Sequence, residues 1–212
     1  MSALEKNQGS ADQSDRRAEI IEISTNLFLE RGFSGTSMSQ LAEACGIRKA
    51  SFYHHFRSKD ELFIACVING YLSAVGRLED LTLDPNLSEE NRIRRAFDVL
   101  YDVTVHSPAG RMSPIIAEVS RSMPELSERF YNEYIAKQRA SLESIINVGV
   151  EKGVFRKPDF DVLYHLVFGP IVMLSLSREM FAAMPDLDIK LPAEKLKNGH
   201  LEATLLYLNS TS

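Results

Sequence analysis

Two helix-start signatures, Ser37-Met38-Ser39-Gln40 and Ser58-Lys59-Asp60-Glu61, leave only a short interval of chain between them. Each has the form in which a serine side chain caps a first turn and a Glu or Gln three residues on reaches back to the cap. After the first, Met38, Leu41, Ala42 and Cys45 recur at i, i+3, i+4 and i+7, the spacing of one buried helical face, and Gly46 stops the run. What remains is RKASFYHHF, residues 48–56, with room for one helix of about eight residues before the next begins. Two helices around a tight glycine turn, with a further helix on either side, form a helix-turn-helix.

The nine-residue stretch could be a metal site, a piece of core, or a surface that grips an anion. At about 100° per residue, Phe52 and Phe56 share one face. Ala50, Ser51 and His54 occupy the broad opposite side, with Tyr53 and His55 at its margins. The phenylalanines are therefore core. Adjacent histidines diverge by the same angle, whereas two ligands for one metal sit at i, i+3 or i, i+4, so His54 and His55 make a poor chelating pair and no metal is expected. Both could instead be satisfied structural groups. The bare front fits DNA: Ala50 can meet a thymine methyl, Ser51 and His54 can hydrogen-bond base edges, and Tyr53 and His55 can reach phosphates.

Charge supports that choice. The chain carries a net −5, yet residues 44–59 contain Arg48, Lys49, Arg57 and Lys59 and no acidic residue, so everything else sums to −9. A small positive window on an acidic protein suits confined phosphate contact. Arg48 and Lys49 crowd the N-terminal end of the short helix, where the macrodipole disfavours cations by about 0.3–1 kcal/mol each. An anionic partner would turn that penalty into attraction.

At this point the residues resemble the tetracycline-repressor (TetR) family of bacterial regulators. The matching stretch covers residues 20–62 through LFLERGFSGTSM, LAEACGIRKASFYHHF and SKDEL, about a fifth of the chain. The combination of Arg31-Gly32-Phe33, Thr36, Ala42, Gly46, Lys49, Tyr53, His55-Phe56 and Ser58-Lys59 carries the likeness. The resemblance implies that the short helix enters the major groove, with Lys49, Ala50, Ser51 and His54 toward bases and Thr36, Ser37, Tyr53, His55 and Lys59 toward phosphates. Cys45 and Arg48 depart from the family pattern, in which Ala and a small capping residue are common; Arg48 is kept as a candidate DNA contact.

The whole chain reads as all-α, with no alternating run that would mark a strand. Residues 1–15 are expected as a disordered tail, 16–62 as the DNA-binding domain with its motif at about 37–56, and 63–212 as a larger helical effector-binding and dimerisation domain. A first helix at 17–31 carries Ile20, Ile21, Leu27 and Phe28 and ends at Gly32. Helices are further predicted from 58 to about 80, from 88 with Ile93, Ala96, Phe97, Leu100 and Tyr101 on one face, from about 124 to 152, from 160 to before Pro185, and over about 193–208. Ser122 with Glu125, and Asp159, are the expected caps of two of these.

Residues 162–176 are apolar on more faces than one small domain covers, and self-pairing would hide the surplus. The resemblance likewise implies that the last two helices form a four-helix bundle in a twofold dimer. Gly169-Pro170 in the same segment invites a kink and an opening. Phe97, Tyr101, Met112, Tyr134, Phe168 and Met173 are candidate lining residues for an apolar or amphipathic effector.

No signal sequence or span of about 18 uninterrupted apolar residues is evident, and the two cysteines have neither metal nor disulfide spacing, so a cytoplasmic protein without membrane attachment is expected. No cofactor is expected. The function these features imply is a ligand-responsive DNA-binding transcriptional regulator, a homodimeric repressor on a palindromic operator. The alternatives are a helical enzyme, for which no HExxH, phosphate loop or activated nucleophile is found, and a DNA-associated adaptor without sequence preference.

Overall fold

The computed structural model describes residues 3–209, with side chains from Asp15 onward. No strand occurs among the described residues. The first helix, α1, spans Ala3–Arg31 and so runs through most of the stretch expected as a disordered tail. No proline interrupts residues 3–31, and the backbone continues the helical path unbroken. Its C-terminal half buries the expected Ile20, Ile21, Leu27 and Phe28, and Gly32, at φ +70°, ends it.

Two short helices follow, α2 (Met38–Ala44) and α3 (Lys49–His55), and then the long α4 (Lys59–Leu83). The turn between α2 and α3 needs Gly46, whose φ of +64° is open to few other residues. Its amide donates to the Glu43 carbonyl at 3.0 Å, and Ile47 N donates to Ala42 O at 3.0 Å, tying off the end of α2. α4 passes without a break through the boundary expected between residues 62 and 63; it buries Leu62, Phe63, Ile64 and Val67, with the Phe63 ring edge-on to Phe28 of α1, before meeting the second half of the chain.

That half contains α5 (Glu89–Tyr101), capped by Ser88, and a π-helical turn, Asp102–His106. Two short helices, α6 (Pro108–Arg111) and α7 (Ser113–Val119), occupy a region where periodicity gave no helix. α8 (Pro124–Phe130) and α9 (Ala136–Glu151) are joined by a second π-helical turn, Tyr131–Ile135, where one continuous helix was predicted. The expected Ser122 cap does not form: Met123 holds the cap position, and Ser122 Oγ donates backward to Val119 O at 3.0 Å.

α10 (Phe160–Met180) starts as expected at Asp159, whose carboxylate accepts from Asp161 N and Val162 N at 3.0 and 3.2 Å. A short α11 (Leu187–Lys190) and the final α12 (Ala193–Asn209) complete the chain. α10 continues as helix through Gly169-Pro170. Proline cannot donate to the carbonyl four residues earlier. That carbonyl, Leu166 O, instead accepts from His200 Nε2 of α12 at 3.0 Å. The proline thus leaves a docking point for the neighbouring helix.

By length and hydropathy α4 and α10 could each cross a membrane. α4 is instead wrapped by α1, α5 and α9, while α10 packs on α12, α6 and α7 with one side left open. One close approach joins the two halves. A Cβ on Gly70 of α4 would lie 2.4 Å from Ala109 Cβ of α6, nearer than side-chain atoms ever come.

Candidate DNA-binding surface and effector cavity

α2 begins with a complete capping box: Gln40 N donates to Ser37 Oγ at 3.3 Å, and Ser37 N donates to Gln40 Oε1 at 2.8 Å. At α4, Glu61 N donates to Ser58 Oγ at 3.0 Å, but the Glu61 carboxylate accepts from Arg57 N, one residue before the cap. Between them, α3 starts at Arg48 with no side-chain cap. Its first amides and the cations of Arg48 and Lys49 are therefore unspent within the protein and sit together at one exposed end.

The back of α3 is locked. Phe52 and Phe56 are both 0 % exposed, and the Arg17 guanidinium lies 4.4 Å from the centre of the Phe56 ring. Arg16 Nη2 adds a hydrogen bond from α1 to Cys45 O at 2.7 Å. The front is bare: Arg48, Lys49, Ala50, Ser51, Tyr53 and His54 are exposed, His55 is half-buried, and Ser37 lies exposed at the start of α2. No group of three or more His, Cys, Asp or Glu positioned to hold a metal occurs among the described residues.

Two expected phosphate contacts are placed otherwise. Thr36 is only 2 % exposed, and its hydroxyl donates to Gly32 O at 2.8 Å, so it closes the loop after α1 rather than facing outward. Lys59 Nζ donates to Phe33 O and Thr36 O at 2.8 and 2.9 Å and sits 4.1 Å from the Phe33 ring centre. Its ammonium staples that loop to the start of α4. Replacing Lys59 with Met should lower unfolding free energy by about 1–3 kcal/mol, the worth of charge-assisted hydrogen bonds. Urea denaturation measures this, and an unchanged midpoint would remove the stapling role.

In the second half, a cavity of about 230 Å³ opens between α4, α7, α10 and the two π-helical turns. Of the residues expected to line it, Tyr134 and Phe168 do. Met173 is 64 % exposed on the outer side of α10, and Met112 is buried but off the cavity wall. Phe97 and Tyr101 face α12 instead. His200 packs edge-on to Phe97 with ring centres 4.9 Å apart, and its Nδ1 lies 3.2 Å from Tyr101 Oη. Since a carbonyl only accepts, His200 Nε2 carries the proton toward Leu166 O, and Nδ1 accepts from Tyr101. Burial holds the imidazole below its ordinary pKa and so favours this neutral form.

The wall that sequence reasoning missed is made by Tyr71, Thr104, Ser113, Ile116 and Phe130. Tyr71, Phe130 and Tyr134 stack into one aromatic cluster, with ring centres 4.5 to 5.3 Å apart. The i, i+4 spacing of Phe130 and Tyr134 was a usable signal; Thr104 and Ser113 lie where no period could be read. Behind the cavity, buried Gln138 donates to Tyr134 Oη at 3.4 Å and accepts from Tyr164 Oη at 3.1 Å. Cys66 donates to Ile21 O, and burial pushes its thiol up to about 12, far from a reactive thiolate.

An all-α chain with a core-locked short helix presenting a bare, cationic front defines a helix-turn-helix DNA-binding regulator. Residues 20–66 match the profile of bacterial regulatory proteins of the tetR family. Those residues therefore form a tetR-family DNA-binding domain, and the relatives and solved structures that the chain resembles support a TetR-family transcriptional regulator. It is 29% identical to the HTH-type transcriptional repressor KstR2 of Mycobacterium tuberculosis over 69% of this chain and 72% of that one. Its fold is similar to that of a Mesorhizobium loti chain assigned to the same family, at TM-score 0.76 and 21% identity, over 93% of this chain and 98% of that one. It is also similar to Bacillus subtilis FadR, solved in complex with stearoyl-CoA, at TM-score 0.67 and 18% identity, over 90% of this chain and 98% of that one.

Proposed function

We propose that this regulator is a ligand-responsive repressor that binds a near-palindromic operator as a homodimer and lets go when a small apolar or amphipathic effector occupies the cavity. The observation that carries it is the exposed front of α3 held rigid by Phe52 and Phe56. Lys49, Ala50, Ser51 and His54 read bases; Arg48, Ser37, Tyr53 and His55 position the helix on phosphates. KstR2, a repressor, supports the sign of regulation, and FadR, whose bound stearoyl-CoA carries a long acyl chain, supports an effector with an apolar part. The protein works in the cytoplasm, on chromosomal DNA, and carries out no chemistry on its effector.

A twofold partner is supported by α10. Val162, Leu166, Met173 and Met180 are all exposed, and at about 100° per residue they fall within one narrow face. Gly169 lies on the same face with open space around it, which leaves room for another backbone to come close. On α12, Leu196, Gly199, Ala203 and Leu206 form a second exposed face. Isologous pairing of these two faces builds a four-helix interface.

His54→Ala is expected to change which sequences are selected from a random DNA pool, at a cost of about 1–3 kcal/mol on the preferred operator and little on random DNA. Equal losses on both would remove His54 from base reading and favour a DNA-associated adaptor. Effector recovered chemically altered after incubation would favour an enzyme.

A further inference from the structure

The cavity's chemistry is more specific than its apolar walls suggest. No charged side chain lines it. Its polar groups are hydroxyls: Tyr71, Ser113 and Thr104 on the side formed by α4, α7 and the first π-helical turn, and Tyr134 on the second π-helical turn. Their protons can be followed. Ser113 Oγ donates to Gly110 O at 2.6 Å, so Tyr71 Oη, 3.4 Å away, must donate to Ser113. Thr104 is 3 % exposed and lies near the Tyr134 hydroxyl, but its Oγ1 makes no well-formed hydrogen bond. A buried hydroxyl left in this condition is costly unless something else completes it.

The backbone around this group is also unusual. Both π-helical turns border the cavity, one supplying Thr104 and the other Tyr134 and Ile135. Single π turns are rare and concentrate at functional sites. At about 230 Å³ the space is smaller than the roughly 300–1,000 Å³ of sites for drug-sized ligands. Burial pushes the Tyr71 hydroxyl up to about 12, which reports surroundings hostile to negative charge.

We infer that the cavity takes a compact, uncharged, mostly apolar molecule whose single hydroxyl or carbonyl group accepts a hydrogen bond from Thr104 and lies against the Tyr71–Ser113 pair. A carboxylate would enter with no cation to meet it and would lose its hydration. A plain hydrocarbon would fill the space and leave Thr104 unsatisfied. This assignment rests on the regulator reading above and names the ligand class of its effector site.

The test uses the full-length protein and three probes of similar shape: 2-phenylethanol, ethylbenzene and phenylacetate. By isothermal titration, 2-phenylethanol should bind about tenfold more tightly than either of the others, the worth of one well-made buried hydrogen bond. Thr104→Val should remove its advantage over ethylbenzene while leaving ethylbenzene affinity unchanged, and Thr104→Ser should restore the advantage. Melting midpoints confirm that each variant folds.

Phenylacetate binding as tightly as the alcohol would overturn the assignment, as would an advantage that survives Thr104→Val or a failure of all three probes to bind. Release from operator DNA is scored in parallel. Phenylacetate that binds most tightly and frees the DNA would overturn the ligand class and leave the regulator reading standing. An alcohol that behaves as expected in the titrations without affecting DNA would uphold the ligand class and remove the effector role.

Discussion

Replacing Phe52 with Ala is expected to destabilise the DNA-binding half by about 3–5 kcal/mol and to abolish operator binding. The ring is fully buried, and its removal leaves a cavity between α3 and the helices behind it. α3 has seven residues, whereas an isolated helix needs about 12–15 to be even marginal in water, and its N-terminus carries cations against the dipole with no cap. Packing of Phe52 and Phe56 is therefore what holds it. Denaturant unfolding gives the loss, and a gel-shift titration gives the binding. Substitutions at Ala50 or His54 on the exposed front should stay within about 0.5 kcal/mol of the parent. Comparable losses from front and back would mean that α3 is not pinned in this way.

The second large effect is expected at the outer face of α10. Converting Leu166 and Met173, which are 51 % and 64 % exposed, to Glu should cost the single chain little stability, since neither is buried within it. Across a twofold interface the same changes bring four carboxylates into a desolvated seam, where like charges cost several kcal/mol. Sedimentation should then show monomers. Operator affinity should fall by about 10²- to 10⁴-fold, because each half-site is held by one head without the avidity of its twin. A double variant that still sediments as a dimer would place the interface elsewhere.

What the sequence made legible follows the range of the interactions concerned. Ser37 and Asp159 cap the helices expected of them because a cap is settled within four residues of chain. The inward turn of Phe52 and Phe56 likewise follows from local periodicity. Thr36 and Lys59 were misjudged because their partners lie elsewhere: Lys59 reaches back to carbonyls more than twenty residues away, and only the fold brings them together. Phe97 and Tyr101 were assigned to the cavity because their face is apolar, but His200, about a hundred residues on, fixes what that face touches.

Pro170 was expected to kink its helix. The carbonyl it frees is taken by a neighbour, an outcome that no periodicity encodes. Thr104 and Ser113 were invisible for a different reason. The region from 102 to 119 is built from a π turn and two helices of four and seven residues, too short and irregular for an amphipathic period to register.

The contact between Gly70 and Ala109 has a mechanical corollary. Where two helices meet through long side chains, rotamer changes absorb small shifts of one before the other feels them. Here a bare glycine backbone rests on a methyl group, with no torsion in between to take up play, and the residue after Gly70 is the cavity's own Tyr71. Any displacement of α6 has to be answered by α4, the same rod that begins just after α3, so the joint behaves as a gear without backlash.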